Sequence, residues 1–203
     1  MPRLTSSPFT VLVDTREQLP YTFAGLKADA VEGGGPLTIP TTRCTLKAGD
    51  YSIDGYANMV CVERKTASDL AGTLTRGRRR FMAEMDRLRE YDAAWIVIEA
   101  ELSALLTGLP LAPQIKPRTL VRSAMFWQVR FPKVHWWACP GRGVAEAVTY
   151  QLLRTWWRER IEAPARETRK REKEAWDGSL RHQLGGGGAG PTLTAARRRG
   201  GGT

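Results

Sequence analysis

Cysteine is scarce in this chain: Cys44, Cys61 and Cys139 are far apart and show no Cys-x-x-Cys spacing. Three cysteines cannot all pair with one another, so no disulfide framework holds the fold, and a reducing compartment is expected. His135 and His182 are the only histidines, with no partner at metal-ligand spacing, which argues against zinc. No apolar run approaches the roughly 20 residues needed to cross a bilayer, and the N-terminus lacks a continuous apolar signal segment. A cytoplasmic location and no membrane partner are therefore expected. Gly33-Gly34-Gly35 is not followed by Gly-Lys-Ser/Thr, so it reads as a turn and no ATP site is expected. There is no internal repeat.

Acidic charge is also short, with 21 Asp and Glu against 31 Lys and Arg and a net charge of +10. Such an excess invites a polyanion, because basic side chains that neutralise phosphates release condensed counterions. The excess is unevenly spread: residues 163–203 hold nine basic and four acidic side chains, half the net charge in one fifth of the chain. At 203 residues with 42% apolar content, the chain suits one domain able to bury a core plus an appendage.

The pattern along the chain predicts alternating strands and helices. Phe9 to Val13 is a β-prone run ending at Asp14, and Leu37 to Leu46 is β-rich. Tyr51 to Ile53 and Met59 to Arg64 form the arms of a hairpin turning at Asp54-Gly55. Thr66-Ala67-Ser68-Asp69 resembles a capping box opening a helix to about Leu74. Phe81, Met85 and Leu88 give a helix from Arg79 to Tyr91, followed by a buried strand from Trp95 to Ile98 that ends at Glu99. Pro117 suits the first turn of a helix through Val129, Val134 to Cys139 is a strand, and Val144 to Ile161 is a long amphipathic helix. These elements predict an α/β fold of three layers with a central mixed sheet over residues 1–162. Residues 163–184 read as a charged helical or flexible extension, and 185–203 as a basic, low-complexity, disordered C-terminal tail.

Within this frame the first strand delivers Asp14, with Glu17 just past it, near the point where the hairpin delivers Asp50 and Glu63. On a strand, alternate side chains share a face, so Glu63 and Lys65 emerge together and Arg64 points away. Three carboxylates in a partly buried cleft repel one another, and a hard divalent cation with oxygen ligands resolves the conflict. Magnesium suits that site, with Lys65 beside it as a point charge that holds a nucleophile or offsets charge developing on phosphorus. Arg76-Gly77-Arg78-Arg79-Arg80 sets four arginines at a helix start, where they oppose the helix dipole; phosphate contact accounts for them.

Val13-Asp14-Thr15-Arg16-Glu17, Gly49-Asp50-Tyr51, Val62-Glu63-Arg64-Lys65, Ser68-Asp69-Leu70 and Gly77-Arg78 occur in the order found in the XPF-type structure-specific endonuclease domain, which the stretch Thr10 to Ile161 resembles. The resemblance implies a restriction-endonuclease-like fold, use of Mg2+ with Mn2+ as a substitute, and cutting of DNA near flaps, forks and bubbles in repair, recombination or replication. By matching position it implies that Asp14, Asp50 and Glu63 are metal ligands and Lys65 the catalytic lysine, with Arg16, Glu17, Arg64 and Asp69 supporting them, and the Gly77-Arg78 match makes Arg78 the first candidate for phosphate contact. A homodimer through the nuclease domain would follow from family behaviour. After Glu162 no helix pair with Gly-hydrophobic-Gly hairpins is evident, so the chain resembles the short, free-standing modules of phage and prophage genomes. It would then act at the nucleoid or in the cytoplasm of an infected host.

Competing readings of the same residues are plainer. Glu63 and Lys65 could be a solvated salt-bridge pair, Asp69 a helix cap, and Arg64 an ion-pair partner. Trp136-Trp137 and Trp156-Trp157 each place one ring in the core and one at a rim or subunit contact. A non-catalytic DNA-binding or scaffold module working with a partner nuclease is the alternative function, and structured RNA the alternative substrate. The presence of Asp14, Asp50, Glu63 and Lys65 favours the enzyme, since a degenerate partner would have lost several of them.

Overall fold

The computed structural model describes residues 5–29, 34–110 and 112–185, with side chains through 176. The chain divides into two compact units, Met1–Arg158 and Glu159–Thr203. The strands of the first unit are β1 (Thr5–Ser6), β2 (Val11–Asp14), β3 (Leu37–Thr38), β4 (Thr41–Cys44), β5 (Tyr51–Ile53), β6 (Val60–Thr66), β7 (Ala93–Glu99) and β8 (Val134–Ala138). Its helices are α1 (Ala67–Leu74), α2 (Arg78–Leu88), α3 (Leu102–Thr107), α4 (Pro117–Arg130) and α5 (Arg142–Trp157).

Six strands form a mixed sheet in the order β4-β2-β5-β6-β7-β8, while β1 and β3 pair separately. The β5–β6 hairpin is antiparallel with Tyr51 opposite Val62, and β6, β7 and β8 run parallel. The hairpin turn falls at Asp54-Gly55 as expected, Gly55 taking the positive φ of 80° that the turn requires. The β-rich stretch from Leu37 to Leu46 becomes two short strands, not one. Pro40 lies between them and has no N–H to give to a ladder.

Helices cover both faces of the sheet. Alternation along β6 and β7 sends Cys61, Ala94, Ile96 and Ile98 to one side, where they join Leu70 of α1, Phe81, Met85 and Leu88 of α2, and Leu120 and Trp127 of α4 in one buried cluster. Trp127 stacks on Trp136 at 5.6 Å, and Phe81 meets Trp127 edge-on at 4.7 Å. On α5 the buried positions are Ala145, Thr149, Tyr150, Leu153 and Trp156, the helix packing against β5, β6 and β7. Trp157 rests against Phe9 and Tyr56, and Trp137 is half exposed, so each tryptophan pair is split between core and rim. Helix α3, which the sequence did not lead us to expect, packs beside α4.

In the second unit the charged run forms a helix, α6 (Ala163–Gly185), reached through a π-helical turn at Arg158–Glu162. Its side chains from 163 to 176 are all exposed, and its ion pairs are local i,i+4 contacts such as Glu162–Arg166 and Glu167–Arg171. The expected disordered tail lies, from 186 onward, outside the described residues. Among the described residues, no helix is long and apolar enough to cross a membrane.

The Phe81–Trp127–Trp136 stack is the part of the core on which α2 and α4 both depend. Trp127→Ala is expected to destabilise the domain by about 3–5 kcal/mol through lost burial and an incompletely collapsed cavity. Val129→Ala, at a position 84% exposed, should change stability by less than about 0.5 kcal/mol. Denaturant unfolding of the two variants checks this; similar midpoints would contradict the assignment of the core.

Candidate active site

The sheet and helices α1 and α2 enclose a cleft of ≈ 820 Å³. Asp50, Glu63 and Lys65 line it together with Glu84 of α2, below a rim carrying Arg76, Arg80 and Arg87. Asp50 reaches this position because Gly49, at φ 77°, lets the chain pass against β6: a Cβ there would stand 2.9 Å from the Cys61 Cβ. The Asp50 N–H then donates to the Val62 carbonyl at 2.8 Å, and its carboxylate accepts from the Arg64 N–H at 2.7 Å. One step along β6, alternation turns Glu63 and Lys65 into the cleft and Arg64 to the opposite face.

The electrostatics of the floor are unfavourable to negative charge. Burial, reinforced by Glu17 and Glu84 nearby, pushes the Asp50 carboxyl up to about 7. Burial, the Asp50 charge and a hydrogen bond shared with Glu84 push Glu63 well above the usual carboxylate range. Lys65 Nζ lies 3.5 Å from Glu63 Oε1 and 3.8 Å from Glu84 Oε2, and 4.9 Å from the centre of the Phe81 ring. One ammonium thus stands against several carboxyls.

Asp14 does not join them. Burial opposes its ionisation, but hydrogen bonds from Arg16 and Leu46 hold its carboxyl below the usual range. Oδ1 accepts from the Arg16 backbone N–H and Nε, both at 2.7 Å, and Oδ2 accepts from Arg16 Nη2 at 2.8 Å and the Leu46 N–H at 2.7 Å. With both oxygens so engaged, Asp14 fixes the loop after β2 and, unlike Asp50 and Glu63 of the expected trio, is not among the residues lining the cleft. Glu17 accepts from the Leu19 N–H at 2.7 Å and pairs with Arg64 at 3.3 Å. Arg64 also forks onto Glu99 at 2.8 and 3.0 Å, and Tyr21 donates to Glu99 at 2.9 Å. This network is the ion-pair role considered for Arg64, and Arg16, Glu17 and Arg64 also line the cleft. Asp69 closes the capping box with Thr66 and also lines the cleft.

The arginine cluster divides. Arg76 and Arg80 line the cleft, whereas Arg78 turns to α4, where it donates to Ser123 Oγ at 3.2 Å and lies over the Trp127 ring at 5.5 Å. The first candidate for phosphate contact thus also ties the two helices through the aromatic surface of α4, while its side chain remains exposed. Arg79 is exposed and does not line the cleft. Arg87 and Glu84 do, and sequence reasoning missed both. Arg80, Glu84 and Arg87 stand at i, i+4 and i+7, one step round α2 from the buried stripe of Phe81, Met85 and Leu88, and that spacing was the available signal.

Among the described residues, no three Asp, Glu, His or Cys side chains converge closely enough to hold a metal ion. Asp50 and Glu63 nevertheless fit one: they are oxygen donors whose carboxyls burial and neighbouring acids push upward, and a magnesium site commonly takes one or two carboxylates and completes its shell with water and phosphate.

The ERCC4 domain matches residues 13–150. The chain belongs to the ERCC4 domain family. The fold of this ERCC4 domain is similar to that of XPF from Aeropyrum pernix, at a TM-score of 0.52 and 22% identity, over 72% of this chain and 60% of that one. The ERCC4 chain thus spans less than two thirds of that protein's length. No curated protein matches it.

A carboxyl whose folded pKa is raised binds more protons folded than unfolded, so it withdraws stability as pH rises from its unfolded value, near 4, through about 7. Without divalent cations, unfolding midpoints of the wild type are expected to climb as pH falls from 8 to 5, and more steeply than those of Asp50→Asn. Parallel pH profiles for the two proteins would show that Asp50 carries no raised proton affinity.

Proposed function

We propose that this ERCC4 domain is a metal-dependent DNA endonuclease that hydrolyses phosphodiester bonds at branched or flapped DNA. The observation that carries the reading is the cleft itself, in which Asp50, Glu63 and Lys65 share a floor beneath Arg76, Arg80 and Arg87. Family membership supports the nuclease chemistry, and the family's preference for DNA branch points supplies the substrate class.

Asp50 and Glu63 would hold Mg2+, with Mn2+ able to replace it. Bound there, the ion supplies Lewis-acid polarisation of a phosphate oxygen and a water of lowered pKa. The arginines of the rim hold phosphates by charge-assisted hydrogen bonds and set the strand's register. Lys65 stands as a positive charge beside the carboxylates and offsets the charge that grows on the phosphoryl oxygens. Arg64, anchored by Glu99 and Glu17, stiffens the strand that presents Glu63 and Lys65. Residues 163–203 add a basic segment that we assign as a salt-sensitive tether along DNA.

Labelled duplex, single-stranded, 3′-flap and forked DNA, each incubated with Mg2+, Mn2+ or chelator, test the reading. Flap or fork cutting is expected in either metal and not in chelator. Asp50→Ala or Glu63→Ala should lower it by roughly 10³-fold, the scale of losing one preorganised electrostatic group. DNA affinity in those variants should be unchanged or tighter, since a negative charge facing phosphate is removed. Binding without cleavage in both metals would assign a non-catalytic DNA-binding module instead.

A further inference from the structure

Glu84 is out of place on a surface built for DNA. It lies between Arg80 and Arg87 on the stripe of α2 that faces the cleft, where a carboxylate repels the phosphates its neighbours attract. A residue that opposes binding there calls for another task, and its contacts supply one. The Glu84 carboxylate, carried on α2, lies 3.8 Å from Lys65 Nζ, while Glu63 lies 3.5 Å away and the Phe81 ring centre 4.9 Å away. Lys65 is 6% exposed, so its ammonium meets these groups with little access to water.

We propose that Glu84 is the positioning residue for Lys65. The inference rests on the nuclease reading, in which Asp50 and Glu63 turn their oxygens to a divalent cation. Glu63 is then no longer the counter-ion of Lys65, and an ammonium on a four-carbon stem would swing toward water or the nearest phosphate. Glu84 holds it at the floor. The helix supplies the rigidity: Phe81 and Met85 beside Glu84 are buried in the core cluster, so the carboxylate is carried on a fixed backbone. Glu84 touches neither substrate nor reacting atoms in this role: it acts through Lys65, and the hydrogen bond it shares with Glu63 sets it at the same floor.

The test compares Glu84→Ala and Glu84→Gln with the wild type in three measurements on the full chain: single-turnover cleavage of flap DNA, DNA affinity in chelator, and calorimetric Mn2+ affinity. Glu84→Ala should lose ~10–100-fold in the cleavage rate, as is typical for the loss of a supporting partner. It should bind DNA as tightly as the wild type or more tightly, and keep its Mn2+ affinity within about threefold. Glu84→Gln, whose amide oxygen can still accept from Lys65, should recover most of the rate. Unchanged cleavage in Glu84→Ala, a Gln variant as slow as the Ala variant, or Mn2+ affinity falling together with the rate would each overturn the assignment, the last by making Glu84 a metal ligand. An uncut flap with the wild type in both metals would defeat the nuclease reading itself. Tighter DNA binding by Glu84→Ala in chelator would then still separate a carboxylate facing the DNA path from an inert one.

Discussion

Burial of like charge organises this molecule. Asp50 and Glu63 are driven toward protonation first by the loss of water and then by nearby acids, Glu17 and Glu84 for Asp50, and Asp50 and Glu84 for Glu63. Lys65 stands against them as a single ammonium. A protein has no structural need for such an arrangement, because replacing buried charge with apolar side chains of similar size is commonly neutral or stabilising. The conflict persists here because the surrounding fold compels it. Gly49 brings the chain close enough to β6 to place Asp50, and the strand's alternation places the other two. In the proposed reading, a divalent cation would turn this cost into binding energy.

The rest of the first unit can be understood as the frame for that conflict. Arg64 gathers Glu17 and Glu99, and Arg142 reaches Glu99 and the Leu19 and Pro20 carbonyls, so the loop bordering the cleft is tied to α5. Asp14 serves the same loop through Arg16 and Leu46. Helix α2 anchors Phe81, Met85 and Leu88 in the core and thereby fixes Arg80, Glu84 and Arg87 over the floor. The positive rim and the acidic floor therefore sit on separate elements, each held by its own set of apolar and ionic contacts.

Much of this was legible in the sequence, and the reason is period. Hairpin, parallel strands and helices were readable because apolar residues recur at intervals of two or of three to four, and Glu63 and Lys65 share a face by the same rule. What was not legible depends on side-chain choice of partner. Asp14 sits at the end of its strand where a ligand was expected, yet four hydrogen bonds claim its two oxygens. Arg78 follows a glycine in a matching motif, yet it lies over the aromatic surface of α4 and is not among the residues lining the cleft. Glu84 and Arg87 belong to no motif string and become visible only when the helix is wound. The division of β3 from β4 needed knowledge of which strand each would pair with.

A crystal soaked in Mn2+, with data collected at the manganese absorption edge, tests the central claim most directly. The account predicts an anomalous peak within ligand distance of the Asp50 and Glu63 carboxylates and none beside Asp14. A peak bound to Asp14, or no peak in the cleft at a concentration that supports cleavage, would contradict it.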